Sequence, residues 1–292
     1  MGRDGNRTVK QPHCASPDKR LNSMALASDP KGGNHGMENK RVPIFSHIPK
    51  TAGTTLRTII NQQYPRAVIY TLRDEIDSIA LFRKLPQHNR AKIRVLQGHK
   101  PFGIHEYLQV PVDYITMLRQ PVDRVISFYC WILRSPGNDL YEKVRSMSLG
   151  DFADSRLPQV VNQQIEFVSG LSNNSTAEAL NVAKRNLALH FTAFGIAEHF
   201  DESLLLFKRL LGWGNIYYAS QHVAKNRPAK REIPSATIKL IEKHNFFDME
   251  LYEFAKHRLE DVIKKQGQSF WNDVHTFQRM NRIYGKFAEG GS

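Results

Sequence analysis

The stretch His47-Ile48-Pro49-Lys50-Thr51-Ala52-Gly53-Thr54-Thr55 gathers an amine, three threonine hydroxyls and a glycine within nine residues. It follows the apolar, β-branched run VPIFSHI and precedes LRTIINQQY, where Leu56, Ile59, Ile60 and Tyr64 recur at helical spacing. A loop between a strand and a helix aims several backbone N–H groups and the positive helix end at one point, and small residues there let phosphate oxygens approach the chain. Lys50 adds a full charge, and Thr54 and Thr55 place hydroxyls at the helix start. The order GxxxxGK[ST] is absent, because the lysine precedes the glycine. That weighs against an ATPase or GTPase. A plain turn capped by threonine would fit the same place but leaves a lysine and two threonines in one turn unaccounted for.

A second constellation is Met117-Leu118-Arg119-Gln120-Pro121-Val122-Asp123-Arg124-Val125-Ile126-Ser127-Phe128-Tyr129. Here a strand ends in Arg119, where a P-loop NTPase presents an aspartate that helps to hold magnesium. A cation in that position suggests that the protein itself neutralises phosphate. Ser127 stands three residues after Arg124, so the two share a helix face. Taken alone, Arg119 and Arg124 fit equally well as ion pairs with Asp113 or Asp123 on a solvated surface. A third strand ends in Gln97-Gly98-His99-Lys100, which brings His99 to the same sheet edge.

The elements that must position these residues alternate in type. Residues 67–72 (AVIYTL), 93–99 (IRVLQGH) and 112–119 (VDYITMLR) read as further strands, DEIDSIALFRKL as a helix, and Pro121 opens a helix through Trp131. The second half is mostly helical, with PQVVNQQIEFVSG, TAEALNVAKRNLAL, DESLLLFKRLLG, PSATIKLIEKHNF and FDMELYEFAKHRLEDVIKK interrupted by one short strand at 192–196. The fold class is therefore α/β, a P-loop-like parallel sheet flanked by helices with a mostly helical C-terminal half, and ligands are expected at the carboxyl ends of the strands. The aromatic residues Phe246, Phe247, Tyr252 and Phe254 and the run Leu204 to Phe207 fit helix core faces.

The 292 residues are 41% hydrophobic and 24% charged, ordinary for a globular chain with a core of useful size. No apolar run approaches the roughly 20 residues needed to cross a bilayer, and the basic N-terminus has no apolar stretch behind it. A cytoplasmic location is the expectation. Cys14 and Cys130 are far apart in unlike surroundings and support neither a disulfide framework nor a zinc site. The formal net charge of +13 favours anionic partners, but the basic residues form no single tract and no nucleic-acid motif accompanies them. Residues 1–40 are polar and without apolar periodicity, and read as a disordered extension, with Met37 a candidate start of translation.

In combination and order, FSHIPKTAGTTL and LRQPVDRVISFY resemble the sulfotransferase superfamily, in particular the branch with heparan sulfate 2-O-sulfotransferase and related bacterial carbohydrate sulfotransferases. FGIAEHFDESLLLFKRLLGW (194–213) is similar to a further region of that branch. The resemblance runs from about residue 42 to about residue 262, within a single sulfotransferase domain expected over 41–292, and implies a donor, 3′-phosphoadenosine-5′-phosphosulfate (PAPS), that leaves as adenosine 3′,5′-bisphosphate (PAP). Lys50 would contact the phosphosulfate bridge, with Thr51, Ala52, Gly53, Thr54 and Thr55 forming the 5′-phosphate loop. Arg119 and Ser127 would bind the 3′-phosphate. Sulfuryl transfer needs chiefly alignment and charge stabilisation, so no metal is expected.

The acceptor, a hydroxyl and by analogy a carbohydrate, has to lose a proton. His99 matches the family's Gly-His context and suits a general base. His105 is the alternative, and Asp74 and Glu75 are carboxylate candidates. His47, at the end of a central strand, reads as a packed, hydrogen-bonded structural residue. Lys225, Asn226 and Arg227 resemble a late segment near the nucleotide, with a solvated turn as the alternative. The rival functions are a kinase or other phosphoryl-transfer enzyme on the same scaffold, and a non-catalytic polyanion binder.

Overall fold

The computed structural model describes residues 41–72, 78–219 and 230–290. The expectations on residues 1–40, on Asp74 and Glu75 and on Lys225, Asn226 and Arg227 lie outside them.

β1 (Val42–Ser46) is buried at all five positions, the pattern of a parallel strand covered on both faces. Around it stand β2 (Ile69–Leu72), β3 (Val95–Gly98), β4 (Val112–Leu118) and β5 (Phe191–Ile196), every pair parallel, in the order β2-β3-β1-β4-β5. The expected strands are all present, most with trimmed ends, and β5 begins one residue earlier than expected. Ser46 pairs with Gly98, and Phe45 with Ile115, so the ends of β3, β1 and β4 emerge side by side. Chain crossovers leave β1 toward β2 and β3 on one side and reach β4 on the other. Such a reversal opens a crevice at the carboxyl ends of the strands.

The helices are α1 (Gly53–Gln63), α2 (Ser78–Lys84), α3 (Pro121–Leu133), α4 (Leu149–Asp154), α5 (Gln163–Ser169), α6 (Ala177–Leu189), α7 (Phe200–Leu211), α8 (Ser235–His244) and α9 (Phe246–Gly290), with shorter helical turns between them. Two differ from expectation. α5 is shorter than the apolar pattern of 158–170, because Asn162 takes a left-handed conformation at φ 45° and starts the helix only after it. α9 is two helical stretches joined by a kink at Gly267, whose φ of 73° suits glycine: the first ends about where the sequence placed it, near residue 265, and the second, not expected, continues to Gly290. Arg209 on α7 braces that kink, donating to Gln266 Oε1 at 2.8 Å and pairing with Asp273 at 2.7 Å.

One hydrophobic cluster surrounds the sheet and includes Leu204, Leu205, Leu206 and Phe207, as expected. A smaller one lies between α3, α4 and α8, built on Val125, Phe152 and Ile241. Burying each such side chain contributes about 1.5–3 kcal/mol. Tyr252 joins the core, but Phe246 is 55% exposed: it begins α9 and packs edge to face on Phe247 instead of entering the interior.

Candidate active site

The loop after β1 carries two non-glycine residues in the left-handed region, Lys50 at φ 69° and Ala52 at φ 66°. Each such residue costs about 1–2 kcal/mol, so the neighbours must hold them there. Thr51 Oγ1 donates to the Ile48 oxygen at 2.9 Å, and Arg119 Nη1 donates to the Lys50 oxygen at 3.1 Å. α1 then starts from Ala52 with no side-chain cap and no acidic residue in its first turn. Its first N–H groups and its positive end are left for another acceptor. Gly53, Thr54 and Thr55 of that turn line a cavity of about 820 Å³.

Lys50, Ala52, Arg119, Ser127 and His99 line the same cavity, from three neighbouring strand ends and the first turns of α3. Thr51 does not. It is fully buried with its hydroxyl proton committed to Ile48, so it shapes the loop. Lys50 Nζ sits 5.1 Å from the centre of the Trp131 ring, a cation on an aromatic face. Burial, then the nearby Arg134 and Arg119, push its pKa down to about 8. Crowding cations around a buried amine is unfavourable until an anion enters among them.

Arg124 is not a surface residue. It is fully buried, donating to Gln159 O at 3.1 Å, Val160 O at 2.9 Å and Gln163 Oε1 at 2.8 Å. The surface pairing considered for it fails because its partners are carbonyl and amide oxygens from the segment leading into α5, while Asp113 pairs with Arg41 at 2.6 Å. Sharing a helix face with Ser127 therefore does not bring Arg124 to the cavity.

His99 is half-buried at the cavity wall, with its Nδ1 2.7 Å from the His47 oxygen. Its ring packs, tilted by 32° with centres 4.1 Å apart, on His47, which lies under Gly53 so closely that a Cβ there would meet His47 Cδ2 at 2.1 Å. His47 is packed as expected, but its buried Nδ1 has no hydrogen-bond partner, because the ring is held by packing on Phe45 and His99. Burial, then His99, Arg57 and Lys50, hold its pKa well below the ordinary imidazole value, so it stays neutral. His105 is turned elsewhere: its Nδ1 lies 3.0 Å from Tyr114 Oη, it does not line the cavity, and burial lowers its pKa.

Several wall residues escaped the sequence reading. Trp131 and Arg134 follow Ser127 on and just after α3, while Glu198, Phe200 and Tyr218 close the opposite side. Glu198 is tied down by Gln120 N at 3.1 Å and Tyr252 Oη at 3.2 Å, and the Tyr218 hydroxyl donates to Asp201 at 2.7 Å. The one signal for the first pair was the continued helical period of α3, which repeats Ser127's face at Trp131.

Comparison with known proteins points the same way. The chain is 25% identical over 296 residues to the heparin sulfate O-sulfotransferase of Drosophila melanogaster, covering 90% of this chain and 82% of that protein. It is 23% identical over 263 residues to heparan sulfate 2-O-sulfotransferase 1 of Cricetulus griseus, covering 77% and 72%. Among solved structures, mouse sulfotransferase SULT7A1 complexed with PAP aligns at 15% identity and a TM-score of 0.38 over 80% of this chain and 71% of the other. Residues 37–255, most of the chain and both constellations with it, match the model of the sulfotransferase family, and the chain belongs to that family.

Proposed function

We propose that the protein moves the sulfuryl group of PAPS to a hydroxyl of a carbohydrate by direct in-line transfer, releasing PAP. One observation carries this reading: an uncapped helix start, Lys50, Arg119, Ser127 and His99 meet at one cavity. The donor fits those residues, since Lys50, Arg119 and Arg134 bring positive charge to one cavity beside the uncapped start of α1. The first N–H groups of α1 with Thr54 and Thr55 hold the 5′-phosphate, and Arg119 with Ser127 holds the 3′-phosphate. Lys50 stabilises the charge that builds on the bridging oxygen as the S–O bond breaks. His99 takes the acceptor proton as the acceptor oxygen bonds to sulfur. The carbohydrate acceptor rests on the names of the relatives and on the chain's positive charge.

Thermal denaturation with PAP, ADP and ATP tests the reading, because a ligand bound only by the folded state raises its stability. PAP should stabilise clearly more than ADP. Arg119→Ala should remove most of that preference, a charge-assisted contact to phosphate being worth about 1.5–3 kcal/mol. Equal shifts for PAP and ADP, with salt-sensitive binding of many polyanions, would favour a non-catalytic anion binder instead.

A further inference from the structure

Gln164 is fully buried and makes two hydrogen bonds to a single residue. The Arg119 main-chain N–H donates to Gln164 Oε1 at 2.9 Å, and Gln164 Nε2 donates to the Arg119 main-chain oxygen at 2.8 Å. A primary amide offers the same donor and acceptor as a peptide group, so this side chain pairs with Arg119 as one more residue of a neighbouring strand would. The position needs it. The ladder between β4 and β5 ends at Leu118 and Ile196, and Pro121, two residues beyond Arg119, has no N–H. Gln164 continues the pairing for Arg119, which follows β4 directly and lines the donor cavity.

The clamp is anchored through Asp248, which takes hydrogen bonds from both the main chain and the side chain of Gln164. Asp248, fully buried on α9, accepts from the main-chain N–H of Gln164 at 3.1 Å and of Ile165 at 2.8 Å, and so caps the start of α5. The Asp248 N–H donates to Asn162 Oδ1 at 3.1 Å, and the Asn162 N–H donates to Asn245 Oδ1 at 3.0 Å. The preceding residue, Gln163, accepts from the Arg124 guanidinium. Two consecutive glutamines thus engage both arginines of the second constellation, one through its main chain and one through its side chain.

We propose that Gln164 is a positioning residue for donor recognition: by holding both peptide groups of Arg119 it sets the direction of that guanidinium, and so sets the preference for nucleotides that carry a 3′-phosphate. The proposal rests on the reading of the cavity as a PAPS site. Nothing in the amide itself reaches the nucleotide, so its effect is on selectivity, through Arg119.

Two substitutions isolate it. Gln164→Met keeps the length and removes the side-chain hydrogen bonds to Arg119 and to Asp248, while Asp248 still accepts from the main-chain N–H of residue 164. Gln164→Glu keeps the acceptor and loses the donor only where it ionises. Dissociation constants for PAP and for adenosine 5′-monophosphate, which differ only by the 3′-phosphate, are measured by calorimetry for both variants and the unmodified protein. In Gln164→Met the preference for PAP should fall about tenfold, with affinity for the monophosphate changed by less than about twofold. In Gln164→Glu the carboxyl, fully buried beside Asp248, stays protonated near neutral pH and still donates, so the preference should be kept there and fall, relative to the unmodified protein, only as raised pH ionises it. An unchanged preference in folded Gln164→Met, or equal losses for the two nucleotides, overturns the proposal. If the methionine variant does not fold, the glutamate variant decides: a preference for PAP that matches the unmodified protein at every pH overturns the proposal. Absence of a PAP preference in the unmodified protein overturns the reading of the site and this role with it, whereas a preference that survives both substitutions overturns only the clamp.

Discussion

His99 Nδ1 stands 2.7 Å from the main-chain oxygen of His47, and a carbonyl oxygen only accepts. A neutral His99 therefore carries its proton on Nδ1 and its lone pair on Nε2. The tautomer is set by the end of β1, the strand that leads into the donor loop.

Removing this ring should separate proton transfer from nucleotide binding. His99→Ala should leave PAP affinity nearly unchanged and lower turnover by about 10² to 10⁴. The acid limb of the rate profile should vanish as well, since protonating Nε2 is what disables the unmodified enzyme. Near-normal turnover in this variant would move the role to His105 or to the Asp74 and Glu75 pair.

Lys50 gives the donor site a pH dependence of definite sign. Its pKa lies near 8 and should rise when an anion arrives beside it, so PAP binding should take up a proton above that pH and weaken as the pH rises further. Calorimetry at about pH 8.5 in buffers of different ionisation enthalpy measures this uptake. In Lys50→Arg, where the guanidinium stays charged, the uptake should disappear. Uptake that persists there would assign the proton to another group.

Turnover should survive chelation. The positive field in the cavity comes from Lys50, Arg119, Arg134 and the start of α1, and these need no ion to act. Assays with and without EDTA should agree, and loss of activity restored by magnesium would reject this account.

Gly53→Ala tests the packing beneath the donor loop. The added methyl would meet His47 Cδ2 at 2.1 Å, and His47 packs on His99. Overpacking of this kind costs about 1–3 kcal/mol, readable as a lowered melting temperature, and turnover should drop with it as the pair shifts. Combining it with His47→Ala should return part of the stability. A variant as stable as the unmodified protein would mean that the ring moves aside freely.

Much of the sheet was legible because a strand buried on both faces is a short apolar run bounded by turn residues, as in VPIF and YITML. The donor loop was legible because lysine, glycine and threonines in one strand-to-helix turn narrow the chemistry. Gln164 was not, since an amide announces nothing by type and its partner is 45 residues away in the chain. Arg124 was misread for a related reason: its oxygen partners lie 35 to 39 residues on, and a charged residue inside an apolar helix face looks solvated until those partners fold beneath it. The second stretch of α9 was not read from the sequence, and its packing against α7 through Arg209 and Asp273 spans 64 residues of chain.

The order β3-β1-β4 has a geometric consequence. Parallel strands lie about 4.8 Å apart, so the base at the end of β3, the donor loop at the end of β1 and the arginine at the end of β4 are spaced by the hydrogen-bond lattice of the sheet. That spacing acts as a ruler which no side-chain substitution on the rim can rescale. Arg134, Asn138 and Leu140, on the connection after α3, stand off the ruler. The relative placement of His99, Lys50 and Arg119 is thus a property of the framework.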